Sequence, residues 1–144
     1  MAFEIVSRPL LSLSAEAVVN RANSGLQYAA GLCGEIFDAA GKLPLQRACV
    51  ALGSCAVGSA VVTDGFGLDA KYIIHAVPPR WCGGKHGEDT LLADCYRSAL
   101  DLAARLGSDP SPFRCYRRGF AVIPPTEVLR WRKKPFFPLP LRKP

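Results

Sequence analysis

Phe3 to Val6 is a short β-prone run, and Ala17-Val18-Val19 is a second of continuous apolar character, which predicts a strand covered on both faces. Gly58 to Thr63, GSAVVT, and Tyr72 to Val77, YIIHAV, predict two more. Helical signals lie between them. Gly34 to Ala40 is one, and a second carries Pro44 in its first turn and runs to Leu52, with Gly53 as its stop. The clearest helix spans Glu88 to Leu106, where Leu91, Cys95, Ala99, Leu102 and Leu106 make one stripe. Acids crowd its first turn, and Gly107 stands where a C-terminal cap belongs. Strands alternating with helices predict an α/β domain with a mixed, mostly parallel sheet.

The composition divides the chain in two. Of 144 residues, 49% are apolar, enough for one domain with a real core. The net charge of +6 is uneven: residues 1–107 hold 9 Lys and Arg against 10 Asp and Glu, residues 108–144 hold 9 against 2. The second segment also holds 8 of the 12 prolines and follows neither a helical nor a strand period. A boundary near Gly107 follows, with an α/β core at 1–107 and an irregular, basic, Pro-rich tail at 108–144. The first residues carry Glu4, Arg8 and Glu16 and no cationic head before an apolar run, so a cytoplasmic protein with no membrane span is expected. The six cysteines form no C-x-x-C pair and read as reduced, small core residues. Two histidines without clustered acids argue against a metal site. His75, inside an apolar run, reads as a satisfied core histidine.

The stretch with most chemistry is Asn20 to Gly41, NRANSGLQYAAGLCGEIFDAAG. In an open α/β sheet, ligands sit beyond the carboxyl ends of strands, where a loop leads into a helix. Asn20 and Asn23 offer amides there, and Gly31 and Gly34 allow backbone N–H groups to approach an anion such as a diphosphate. The same small residues also suit a turn that merely packs.

These residues resemble the macro domains, which bind ADP-ribose and in many members hydrolyse ADP-ribosyl or O-acetyl-ADP-ribose bonds. The resemblance rests on Ala17 to Gly41, on Leu52 to Trp81 and on Leu91 to Gly107, in the family's order. It implies a three-layer α/β/α sandwich with ADP-ribose across the strand ends, free or carried by a protein or an acetyl ester. It also implies a ligand-binding set of Asn20, Ala22, Asn23, Ala30, Gly31, Leu32, Cys33 and Gly34. The diphosphate would rest on Gly31 to Gly34 and the distal ribose on Asn23, with Asn23 and Cys33 the catalytic candidates. A monomer without a cofactor is expected, with nucleic acid the less favoured partner.

The chain departs from the pattern at several places. Cys33, ten residues after Asn23, stands where members with strong hydrolase activity usually carry an Asp, and a neutral thiol cannot replace that carboxylate. Pro9 occupies the position of the Asp that usually accepts a hydrogen bond from adenine. Tyr28, Ala29 and Ala30 fill part of a loop that is glycine-rich in the family, which stiffens or reshapes it. Pro78 replaces a usual Gly. After Gly107 the family continues with a core strand and a second phosphate loop, which SDPSPFRCYRRGFAVIPPTEV does not spell. Permitted codons for Pro112 to Glu127, read two bases on, spell V-P-L-L-S-A-G-F-C-G-Y-P-P-D-R, a form of the missing segment, so a shifted reading frame is inferred. Three functions compete: a weakened ADP-ribosyl hydrolase, a binding module without turnover, or a protein whose tail (Arg130 to Phe137) contacts nucleic acid through phosphates and stacking.

Overall fold

The computed structural model describes residues 3–6, 9–12, 15–106 and 113–116, the first and last of these as backbone alone. The elements run β1 (Phe3–Val6), a 3-10 turn (Leu10–Ser12), β2 (Ala17–Arg21), α1 (Leu32–Ala40), α2 (Lys42–Leu52), β3 (Ala60–Asp64), β4 (Tyr72–Ala76), α3 (Glu88–Arg105) and β5 (Phe113–Tyr116). The expected α/β architecture is present, and two of the three strand pairings are parallel. β4 lies between β2, to which it is parallel, and β3, to which it is antiparallel; β1 pairs parallel with β5.

The register sorts the side chains. Val18 lies opposite Ile73 and Asn20 opposite His75, while on the other flank Thr63 meets Ile73 and Val61 meets His75. These six residues therefore share one face, since side chains alternate along a strand. That face packs on α1 and α2 through Val18, Ile73, Ile36, Phe37, Leu45 and Cys49. The opposite face, with Ile74 and Ala76, packs on Cys95, Ala99 and Ala103 of α3. Helices on both sides of the sheet give the three layers. Gly41, at φ 101°, joins α1 to α2: its N–H donates to Phe37 O (3.0 Å) and its carbonyl accepts from Leu45 N (3.1 Å). A side chain would be strained in that conformation.

Four expectations change. α1 begins at Leu32, two residues before Gly34. The buried stripe of α3 is Leu92, Cys95, Ala99 and Ala103, rotated from the expected one, and Leu91, Leu102 and Leu106 are only half-buried. Small residues let the helix lie close to the sheet, and the leucines cover the seam's margins. Cys82 is exposed, whereas Cys33, Cys49, Cys55 and Cys95 are buried free thiols as expected. Burial pushes the Cys49 thiol up to about 11 and the Cys95 thiol up to about 12, with the charges of Cys33 and Cys55 adding to each in turn. Finally, Phe113–Tyr116 forms a strand in the segment expected to be irregular. Its FRCY sequence is β-prone and holds no proline, so it can add to the free edge of β1. The expectation for the rest of the tail, 108–112 and 117–144, lies outside the described residues, as does Gly107.

Candidate functional site

Parallel pairing brings the carboxyl ends of β2 and β4 to the same edge, and a cleft of about 630 Å³ opens there. One wall is the loop after β2, tied down where Ala22 N–H donates to Ala76 O (2.9 Å) and Cys55 N–H to Ser24 O (2.9 Å). The other is Val77 to Arg80, following β4. The first turn of α1 closes the cleft with Leu32 and Cys33, preceded by Ala29, Ala30 and Gly31.

The helix N-terminus has no side-chain cap. Its first backbone bond runs from Glu35 N–H to Gly31 O (3.0 Å), so the N–H groups of Leu32, Cys33 and Gly34 have no carbonyl within the helix. Such donors, aligned with the helix dipole, favour an anion. Gly31 holds φ 81° and ψ −144°, open to glycine alone, and sets the entry angle. The preceding loop is pinned rather than free. Tyr28 sets its ring edge-on to Phe37 (centroids 5.8 Å apart) beneath the Lys42 ammonium (4.1 Å), and its N–H donates to Gln46 Oε1 (3.3 Å). The loop lies so close over α1 that a Cβ on Gly34 would come within 2.9 Å of both Ala29 O and Tyr28 Oη.

Of the eight residues expected to bind ligand, Ala22, Asn23, Ala30, Gly31, Leu32 and Cys33 line the cleft. Gly34 lies beneath the loop and Asn20 is wholly buried, so neither side chain position faces the opening. Asn20 belongs instead to a polar centre within the sheet. Its Nδ2 donates to His75 Nδ1 (3.1 Å) and more weakly to Cys33 Sγ (3.7 Å). With Nδ1 accepting, His75 carries its proton on Nε2 and donates it to Thr63 Oγ1 (2.9 Å), whose hydroxyl donates to Asp64 O (3.2 Å). Burial lowers the His75 pKa from 6.5 to about 4, so the ring is neutral. Asn20 Oδ1 finds no hydrogen-bond partner among the described residues.

Asn23 is exposed and largely occupied with its own loop. Its Oδ1 accepts Gln27 N–H (2.9 Å) and its Nδ2 donates to Gln27 O (2.9 Å), which leaves one amide hydrogen and one lone pair for a ligand. The turn it clamps puts Leu26 at φ 53°, an unusual conformation for a leucine, with the side chain buried beneath. The Cys33 thiol is likewise engaged, donating to Gln27 O (3.8 Å).

Three charged residues of the cleft were not anticipated from the sequence: Arg21, the last residue of β2, Glu35 and Arg80. The signal was present, since each lies inside a stretch already singled out, but the charge was weighed segment by segment.

The structure is that of an α/β domain whose cleft, at the carboxyl ends of parallel strands, is lined by an uncapped helix N-terminus and two arginines. Comparison with known proteins narrows the class. The Macro domain profile matches residues 19–130, running past Gly107. The chain is 44% identical over 116 residues to the macro domain-containing protein RSc0334 of Ralstonia nicotianae, covering 81% of this chain and 67% of that protein. The Oceanobacillus iheyensis macrodomain with ADP superposes with a TM-score of 0.68 at 32% identity, over 74% of this chain and 60% of that one. The Trypanosoma brucei macrodomain in complex with ADP-ribose gives 0.65 at 33% identity, over 74% and 43%. The chain belongs to the macro domain family. It spans 67%, 56% and 50% of the length of three of the curated relatives it matches.

Proposed function

We propose that this cleft binds ADP-ribose, free or attached to a protein or an acetyl group, and that hydrolysis there is weakened or lost. The observation that carries the reading is the uncapped first turn of α1 at the cleft, with Leu32, Cys33 and Gly34 N–H groups unclaimed within the helix. The diphosphate would rest on those donors, and the free hydrogen and lone pair of Asn23 would meet the hydroxyls of the distal ribose. Related macrodomain structures that hold ADP or ADP-ribose support the choice of ligand.

Weak turnover follows from Cys33. Hydrolysis of the ribosyl bond needs water positioned or activated next to the anomeric carbon, a task suited to a carboxylate. Cys33 supplies a thiol held between Asn20 Nδ2 and Gln27 O, and among the described residues the one carboxylate lining the cleft is the exposed Glu35. At the position where the family's Asp usually meets the adenine amino group, Pro9 offers no side-chain acceptor, so selectivity for adenine should be modest. Titration calorimetry with ADP-ribose and with AMP tests the reading. Heat with ADP-ribose, exceeding that with AMP, is expected; no heat at millimolar ADP-ribose refutes it.

A further inference from the structure

We propose that Arg21 and Arg80 are specificity-determining residues that bind a second anionic group of the ligand, beyond the diphosphate seated on α1. The inference rests on the ADP-ribose reading of the cleft. Both residues line it, and their backbones are fixed: Arg21 stands opposite Ala76 in the β2–β4 ladder, and Arg80 follows Pro78 and the buried Pro79. Neither guanidinium has a hydrogen bond or ion pair among the described residues, whereas Lys71 pairs with Glu16 and Arg97 with Asp94 on open surface. Two cations in one concavity add their fields, which favours an anion there. Among the described residues the lining supplies one acid, Glu35, against the two arginines, so their balance is positive before the helix dipole is added. Partial burial of the guanidinium also lowers the Arg21 pKa from its ordinary value, and a bound anion would offset that cost by favouring the charged form.

The planar guanidinium fork matches a carboxylate or a phosphate in two parallel hydrogen bonds. The second anion therefore has two sources: carboxylates flanking the modified residue of an ADP-ribosylated peptide, or an additional phosphate monoester on the nucleotide. Position along the chain places Arg21 two residues before Asn23, at the end of the cleft assigned to the distal ribose.

The test compares affinities of the full chain for ADP-ribose, for ADP-ribose carrying a further phosphate monoester on its distal ribose, and for ADP-ribosylated peptides with either Glu or Gln beside the modified residue. Parent, Arg21→Ala, Arg80→Ala, the double variant and the double Lys variant are titrated at low and high salt. At least one anionic ligand should bind the parent about two- to fivefold more tightly than its neutral counterpart, the size expected of exposed charge pairs. That ratio should fall toward one in the double Ala variant and at high salt, and recover in part with Lys. The phosphate and peptide arms identify the source. A ratio of one in both arms for the parent, or a ratio unchanged in the double variant, overturns the inference while leaving ADP-ribose binding intact. Absence of ADP-ribose binding to the parent overturns the reading of the cleft and this inference with it.

Discussion

Mild acid should weaken the fold through one buried ring. His75 is fully enclosed between Asn20 and Thr63, and its neutral form fits both partners, with Nδ1 accepting and Nε2–H donating. A second proton on Nδ1 would face the Asn20 amide hydrogens. Turning that amide over could accept the proton, but the charge would still lie out of reach of water. In the unfolded chain the ring titrates near 6.5, and in the fold near 4. Between those values the unfolded state binds the extra proton and the folded state does not, so stability falls as the pH drops. The effect is absent above about pH 6.5 and complete below about pH 4. The gap corresponds to about 3 kcal/mol, at about 1.4 kcal/mol for each pH unit. A domain of this size has roughly 5–15 kcal/mol in hand, so the loss is a large share. Urea unfolding followed by circular dichroism between pH 7.5 and 4 measures it. His75→Gln keeps a hydrogen-bonding side chain but cannot titrate, and subtracting its curve removes the carboxylates common to both proteins. The parent should lose about 3 kcal/mol more than the variant over that range. Parallel curves would show that the ring protonates without cost, and the burial argument would fail.

Gly31→Ala should destabilise the protein by about 1–3 kcal/mol in thermal melts, because no atom lies within 4 Å of the new Cβ and the whole cost is backbone strain at φ 81°. ADP-ribose affinity should fall as well, since Gly31 aims the first turn of α1. Cys33→Asp should raise hydrolysis of an ADP-ribosylated carboxylate if the absent carboxylate limits turnover; loss of an existing activity in Cys33→Ala, with no gain in Cys33→Asp, would instead identify the thiol as the working group. Sequencing the coding DNA should reveal, two bases out of frame under Pro112 to Glu127, the strand and glycine-rich loop named above; bases that spell no such peptide reject the shifted frame.

Much of the fold was legible because burial imposes a period. β1 was placed at its observed bounds, and β2, β3 and β4 were found to within two residues at each end, since Ala17-Val18-Val19 and Tyr72 to Val77 are runs that only a two-sided core explains. The helix stripe on Glu88 to Leu106 was less certain. Leucines and small residues alternate around that helix, and which of them face the sheet depends on how close the layers lie, which a sequence does not state. The site divides in the same way. The loop Gly31 to Cys33 announced itself through its glycine and its place after a strand. Asn20 did not: an amide at a strand end reads equally as a ligand contact or a core partner. His75, 55 residues away, decides between them by lying opposite Asn20 in the ladder. Arg21 and Arg80 became visible only when parallel pairing brought two strand ends together, because their proximity to one cleft is a property of topology.

Cys33 joins the two halves of the molecule that matter here, the buried polar centre and the cleft. Its Sγ lies 3.7 Å from Asn20 Nδ2 and 3.8 Å from Gln27 O, the carbonyl that also accepts from the Asn23 amide. A thiol suits that place because it can accept weakly from the amide and donate weakly to the carbonyl. An ionised carboxylate would be a better acceptor for Asn20 but can donate nothing to Gln27, and it would set a negative charge against a carbonyl oxygen. The Gln27 carbonyl would have to turn away, which loosens the clamp on Asn23. Restoring the acid therefore changes the geometry of the ribose contact along with the chemistry of the water. A rise in hydrolysis by Cys33→Asp with ADP-ribose affinity unchanged would mean that the loop adjusts freely. A rise in hydrolysis accompanied by weaker binding, reversed when a second substitution removes the Asn23 amide in both backgrounds, would show that the thiol had been holding the loop in its observed form.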